Sequence, residues 1–268
     1  MTMNISWLTR NVACASLLTG TATLVAGNLL ALVNQPGDGS FAATLAMVSG
    51  APGLWLVAAT LAIAGPILWI PGLLAAGALP GSKTAAGTRT PRPGRVLAAL
   101  GSLLLAVGMA VGVGHFALFF GVLGSAADSG LPADTAERMV TAEDGYALGS
   151  VLLWTFLAGL TFGTLLLALG LRMAKAVPVW VPVAALAFIV TNFLGGTVPT
   201  LVGAAALVAT FVPMALALRT GDAALAARAA NSGREGRTTR RSLFEVDGSW
   251  QGPAALDAPS PRSSVRAA

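Results

Sequence analysis

Residues 95–124 read RVLAALGSLLLAVGMAVGVGHFALFFGVLG. After Arg95 the run holds no Asp, Glu, Lys or Arg. About 20 consecutive apolar residues in a helix span the ~30 Å hydrocarbon core of a bilayer, so this stretch predicts a transmembrane helix over residues 96–120. On that helix Gly101, Gly108 and Gly112 share a face with His115. Steps of seven, four and three residues each return close to the same angle. A strip without side chains therefore leads to the one histidine of the chain.

The rest of the chain repeats this pattern. Over 268 residues it is 55% hydrophobic and 10% charged, with a mean hydropathy of +0.77. A soluble domain is nearer ~25% charged. Long charge-free blocks alternate with short charged ones, the signature of several transmembrane helices. The predicted fold is an all-α polytopic bundle of six spans within residues 1–219. The spans cover about 11–33, 54–79, 96–120, 146–171, 178–194 and 199–218. Residues 220–268 form a tail rich in Gly, Ser, Pro and Arg, a composition that predicts disorder over most of its length. Asp222 is placed to cap a short Ala-rich helix, 223–230, at its start.

Arg10 ahead of an apolar run also fits a signal peptide. The run over 11–33 exceeds the usual h-region of about 7–15 residues, so an uncleaved first span is expected. Asn11-Val12-Ala13-Cys14 lacks the Leu of a lipoprotein site, and no apolar run precedes it. Cys14 is the single cysteine, which excludes an internal disulfide and any cysteine-cluster metal site. Two short helices are predicted between spans, over 41–49 and 132–143. In the second span Trp55 and Trp69 lie toward the two ends, an interfacial placement. Pro66 and Pro71 would kink it, a feature membrane helices tolerate when neighbours satisfy the freed carbonyls.

Charge distribution sets the orientation. With the N-terminus cytoplasmic, the inner segments carry 15 of the 16 basic residues. The outer segments carry Arg138 and six acids: Asp38, Asp128, Asp134, Glu137, Glu143 and Asp144. By the positive-inside rule both termini face the cytoplasm of a cell (inner or plasma) membrane and the span count is even. The net charge of +5 is then a topology signal, and a nucleic-acid role is not expected. Spans one and two enclose a short outer helix, and so do spans three and four, a layout like the parallel repeats of some transporters.

Two sets of residues stand out as sites. Gly101, Gly108 and Gly112 on span three, and Gly159 and Gly163 on span four, are helix-packing faces. Thr155 and Gly170 extend the second. Close backbone approach drives helix association in lipid. Such faces serve packing inside the chain, or a homo-oligomer or other membrane-protein partner. The second set is polar. His115, Asn28, Asn192 and Ser150 all fall in the outer third of their spans, and intramembrane polar groups of this kind mark ligand or ion sites. Together they predict an outward-facing polar pocket. The alternative is that each reaches the headgroup region from near a helix end.

The inventory disfavours intramembrane enzymes. A metal oxidase needs several His or carboxylates in its spans, a bis-His haem needs a second histidine, and a retinal Schiff base needs a lysine within a span. No phosphate-binding loop or zinc spacing is present. A Ser150–His115 dyad lacks any wider motif. No catalytic residue, metal or cofactor is predicted. In the tail, Arg234, Arg237, Arg240 and Arg241 would touch an anionic lipid leaflet, each gaining about 1 kcal/mol. The expected function is binding or transport of a small or lipid-like ligand through the outer pocket. The alternative is a non-enzymatic assembly or regulatory subunit of a membrane complex.

Overall fold

The computed structural model describes residues 5–33, 40–79, 93–194 and 196–219. The expectations for the tail, including its four named arginines, and for Asp38 lie outside these residues. The described residues form helices and turns and no strand. In chain order the helices are α1 (Ile5–Val33), α2 (Phe41–Gly50), α3 (Pro52–Ala78), α4 (Pro93–Asp128) and α5 (Ala133–Gly145). Then come α6 (Ala147–Ala158), a π-helical turn (Gly159–Gly163), α7 (Thr164–Met173), α8 (Trp180–Leu194) and α9 (Thr197–Arg219).

Five stretches are long and apolar enough to cross a membrane: Thr9–Leu30, Pro52–Ala78, Pro93–Asp128, Ala147–Met173 and Thr197–Arg219. Each matches a predicted span. The predicted fifth span differs. Its helix, α8, has 15 residues and a length of about 22 Å, short of the ~30 Å hydrocarbon core. Pro178 lies ahead of it rather than within it. The fourth span is not one regular helix either. The π turn sits in its middle, where Gly159 and Gly163 press on α4. Nothing in the apolar pattern signals it.

Glycine contacts fix the register. α4 runs antiparallel to α6 and α7: Gly101 faces Leu167, Gly108 faces Gly159, Gly112 faces Phe156 and Gly114 faces Leu152. α1 is antiparallel to α3, with Gly20 on Trp69, Gly27 on Leu61 and Gly72 on Leu17. α3 is antiparallel to α4, with Gly77 on Ser102 and Gly124 beside Trp55. These registers gather Arg95, Arg172 and Lys175 at one end of the bundle. Asp128, Asp134 and Glu137 lie at the other.

The acidic end is capped by the two short helices, both predicted. Ser40 caps α2, its hydroxyl accepting from the Ala43 N–H at 3.2 Å. α4 stops at a Schellman turn: Leu131 N–H donates to Ala126 C=O and Gly130 N–H to Ala127 C=O, with Gly130 at φ 61°. That geometry is left-handed and suits glycine. The turn throws α5 back across α4. Leu45 and Val48 of α2, Leu123 and Ala126 of α4, and Ala136 of α5 form a small apolar cluster there.

The main core lies toward the basic end. Leu17, Trp69, Leu73, Leu105, Leu167 and Phe211 are fully buried in it. Trp69 is therefore not an interfacial anchor, as its position in the sequence implied. Its indole packs edge-on against Phe211 at 4.2 Å and donates to Thr21 Oγ1 at 3.1 Å, which meets the need of a buried indole for a partner. Beside Pro71, Ser16 of α1 enters the hydrogen-bond ladder of α3. Its hydroxyl donates to Leu68 C=O and accepts from Gly72 N–H at 3.1 Å. A neighbouring helix thus satisfies the backbone next to a proline, as hydrocarbon surroundings require.

Candidate functional site

Packing changes halfway along the bundle. On α4 the buried residues run from Gly94 to Gly112, stop, and resume at Leu123 under the cap. On α3 only Ala58 is buried before Gly65. On α6 only Gly149 is buried. On α1 no residue from 22 to 30 is buried. The helices pack closely near the basic end and splay toward the capped end.

The cause is side-chain size. In the close half, glycine lets backbones touch. A Cβ on Gly108 would sit 2.7 Å from Gly159 Cα, and a Cβ on Gly163 2.8 Å from Leu105 Cα. Gly101, Gly108 and Gly159, with Gly163 and Gly170, are thus filled by one another's helices within the chain. Gly112 differs slightly, because it receives the Phe156 ring rather than backbone. In the splayed half aromatic rings stand between the helices. Phe116 meets Phe156 edge-on at 5.1 Å, and Trp55 lies against Phe120 at 4.7 Å.

A cleft of about 640 Å³ opens in the splayed half between α3 and α4, beneath α2. Ala117, Gly121, Gly124 and Asp128 line it along α4; Trp55, Leu56 and Ile63 along α3; Val48 and Ser49 form its roof. The α4 residues step by four, three and four, so they make one stripe. This second small-residue face points away from the first, since Gly121 stands nine residues, or about half a turn, from Gly112. A Cβ on Gly121 would meet nothing within 4 Å. The Trp55 indole donates to Phe120 C=O at 3.2 Å, which fixes the ring as one wall. Asp128 is the single acidic or basic residue of the lining.

The four polar residues picked from the sequence do not line this cleft. Traced through the glycine registers, Asn28 stands level with residue 61 on α3, 118 on α4 and 150 on α6. Ser150 is thus at its level, and His115 lies one turn deeper. The Trp69–Phe211 contact and the Gly203–Thr191 contact bring Asn192 to the same level. They share a depth, near the cleft floor, on four different helices, α1, α4, α6 and α8. His115 turns toward α6, its ring stacked on Phe156 at 6.4 Å. Its Nδ1 is buried without a partner among the described residues. Asn192 Nδ2 donates to Phe188 C=O of its own helix at 2.7 Å. Asn28 is exposed and Ser150 half-buried.

Sequence reasoning missed the cleft residues. The signal was the Ala117/Gly121/Gly124/Asp128 stripe, small residues at helical spacing that end in a carboxylate. Among the described residues no group of His, Cys, Asp or Glu is arranged to hold a metal ion. No protein-family model, curated protein or solved structure matches the chain.

Proposed function

We propose that this is a six-span protein of the cell membrane, with both termini cytoplasmic, that binds or moves a small or lipid-like ligand at the capped, outward-facing end. The observation that supports the ligand reading is the cleft of about 640 Å³ between α3 and α4. Its size is in the ~300–1,000 Å³ range of small-molecule sites, and an apolar wall with few polar groups is their usual chemistry. Its walls are membrane-spanning segments, so a ligand enters sideways from the bilayer. The polar level of His115, Asn28, Asn192 and Ser150 lies beside its floor and tolerates water or a polar ligand group.

The orientation is supported by charge. Bases cluster at one end and acids at the other, and lysine and arginine mark the cytoplasmic side. The remaining crossing, fifth in chain order, is α8, which reaches across with the help of the residues that flank it. In this reading the cytoplasmic tail rests Arg234, Arg237, Arg240 and Arg241 on the anionic leaflet.

Two experiments test these claims. In a Cys14→Ala background, single cysteines at Glu137 and Lys175 are exposed to a membrane-impermeant maleimide on intact cells. Labelling at 137 alone is expected; labelling at 175 without permeabilisation sinks the orientation. For the ligand, wild type and Gly121→Leu are purified in mild detergent and the small molecules retained are extracted and weighed by mass spectrometry. A Cβ at Gly121 meets nothing within 4 Å, so a leucine there projects into the cleft and should lose a molecule that wild type keeps. Equal retention in the two proteins removes the reading.

A further inference from the structure

The lining of the cleft also selects a head group. It runs about 16 Å along α4 from Ala117 to Asp128, eleven residues at 1.5 Å each. α4 itself has 36 residues, about 54 Å, well beyond the hydrocarbon core. Its last turns are held by the α2–α5 cap, above the apolar spans. The floor of the cleft, at Ile63 and Ala117, therefore lies at the depth of lipid chains, and the rim, at Ser49 and Asp128, at the depth of head groups. Leu56 is 67% exposed, so the open side faces the lipid.

The rim is complementary to one kind of charge. Asp128 is a carboxylate, and no lysine or arginine lines the cleft. The Ser49 hydroxyl already donates to Leu45 C=O at 2.9 Å, which leaves its oxygen as an acceptor. The Trp55 N–H is engaged by Phe120 C=O. The rim thus offers acceptors and negative charge. A head of net negative charge would be repelled, whereas a zwitterionic head can set its cation at the rim and leave its phosphate outside the cleft. A primary ammonium, with three donors and a positive charge, matches both Asp128 and Ser49.

We propose that the cleft holds a bilayer lipid whose head carries a primary ammonium, an ethanolamine phospholipid, with a chain along Gly121 and Leu56 and the ammonium at Asp128 and Ser49. This rests on the reading of the cleft as the ligand site and names its ligand.

The test uses the full chain in nanodiscs of equal parts phosphatidylethanolamine, phosphatidylcholine and phosphatidylglycerol. Native mass spectrometry reads the lipid that stays on the protein when the disc is removed. Wild type should retain the ethanolamine lipid over the other two by about tenfold, the factor given by 1.4 kcal/mol of charge-assisted hydrogen bonding. Asp128→Asn should still retain lipid but without that preference. Gly121→Leu should retain none, with an unchanged elution profile and unfolding temperature showing that it folds. A wild type that holds choline or glycerol lipid as well as ethanolamine lipid overturns the head-group assignment. So does an Asp128→Asn preference equal to that of wild type. Undiminished retention by folded Gly121→Leu overturns the cleft itself as the site.

Discussion

The two halves of the bundle are built from different residues and do different things. Near the basic end, glycines meet backbone across α1–α3 and α4–α7, and the core is closely packed. Near the capped end, Trp55, Phe116, Phe120 and Phe156 hold the same helices apart. The close half makes the fold unique, because a glycine seam admits one register and one distance. The splayed half leaves room beside α4. Both halves use the same helices, so the change from glycine to aromatic along α4, met by Trp55 of α3 and Phe156 of α6, sets where the cleft opens.

The difference predicts opposite responses to one kind of substitution. Gly108→Leu drives a side chain into Gly159 and should cost more than ~3 kcal/mol, read as loss of the monodisperse peak in detergent. The same change at Gly121, on the other face of the same helix, should leave that peak intact. Survival of Gly108→Leu would erase the contrast. Trp69→Ala, next in size, removes the ring at the centre of the close half and should cost about 3–5 kcal/mol in thermal unfolding. Trp55→Ala, in a half-buried wall, should cost less than half as much and enlarge the cleft instead.

Smaller effects sharpen the picture at the edges of the close half. α7 ends in a Schellman turn in which Ala176 N–H donates to Leu171 C=O and Lys175 N–H to Arg172 C=O. Lys175 there has φ 58°, a left-handed geometry that costs an L-residue about 1–2 kcal/mol. Lys175→Gly should raise stability by about 1 kcal/mol, measured as an upward shift in unfolding temperature. Ser16→Ala should cost about 0.6 kcal/mol, since Gly72 N–H is then free to pair with Leu68 C=O. A larger loss would show that the serine holds the bend in α3.

Much of the architecture was legible because hydrocarbon imposes it. Five predicted spans, the two short cap helices and the faces Gly101/Gly108 and Gly159/Gly163 all follow from charge gaps and helical spacing. The glycine pattern was wider than its first reading. Gly20 and Gly27, and Gly65 and Gly72, have the same seven-residue spacing as Gly101 and Gly108; Gly20 and Gly72 meet opposing backbone as Gly108 does, Gly65 meets the Leu24 side chain, and Gly27 stands at ordinary contact distance from Leu61. The site was less legible. His115 attracts notice as the lone histidine, yet its ring faces Phe156 and not the cleft. Gly121, Gly124 and Asp128 carry no unusual chemistry, and only their position opposite Trp55 makes them a wall.

By itself the sequence determined that the chain is a bundle of helices long and apolar enough to cross a membrane, with bases at one end and acids at the other among the described residues. Burial of apolar helices and exclusion of charge act on each segment separately, and so can be read segment by segment. Only the tertiary structure decided that Trp69 is core rather than anchor, that the fourth span carries a π turn, and that a cleft opens between α3 and α4 at Trp55 and Gly121. Those outcomes depend on which side chains oppose each other across a helix pair. No single stretch of sequence contains both partners.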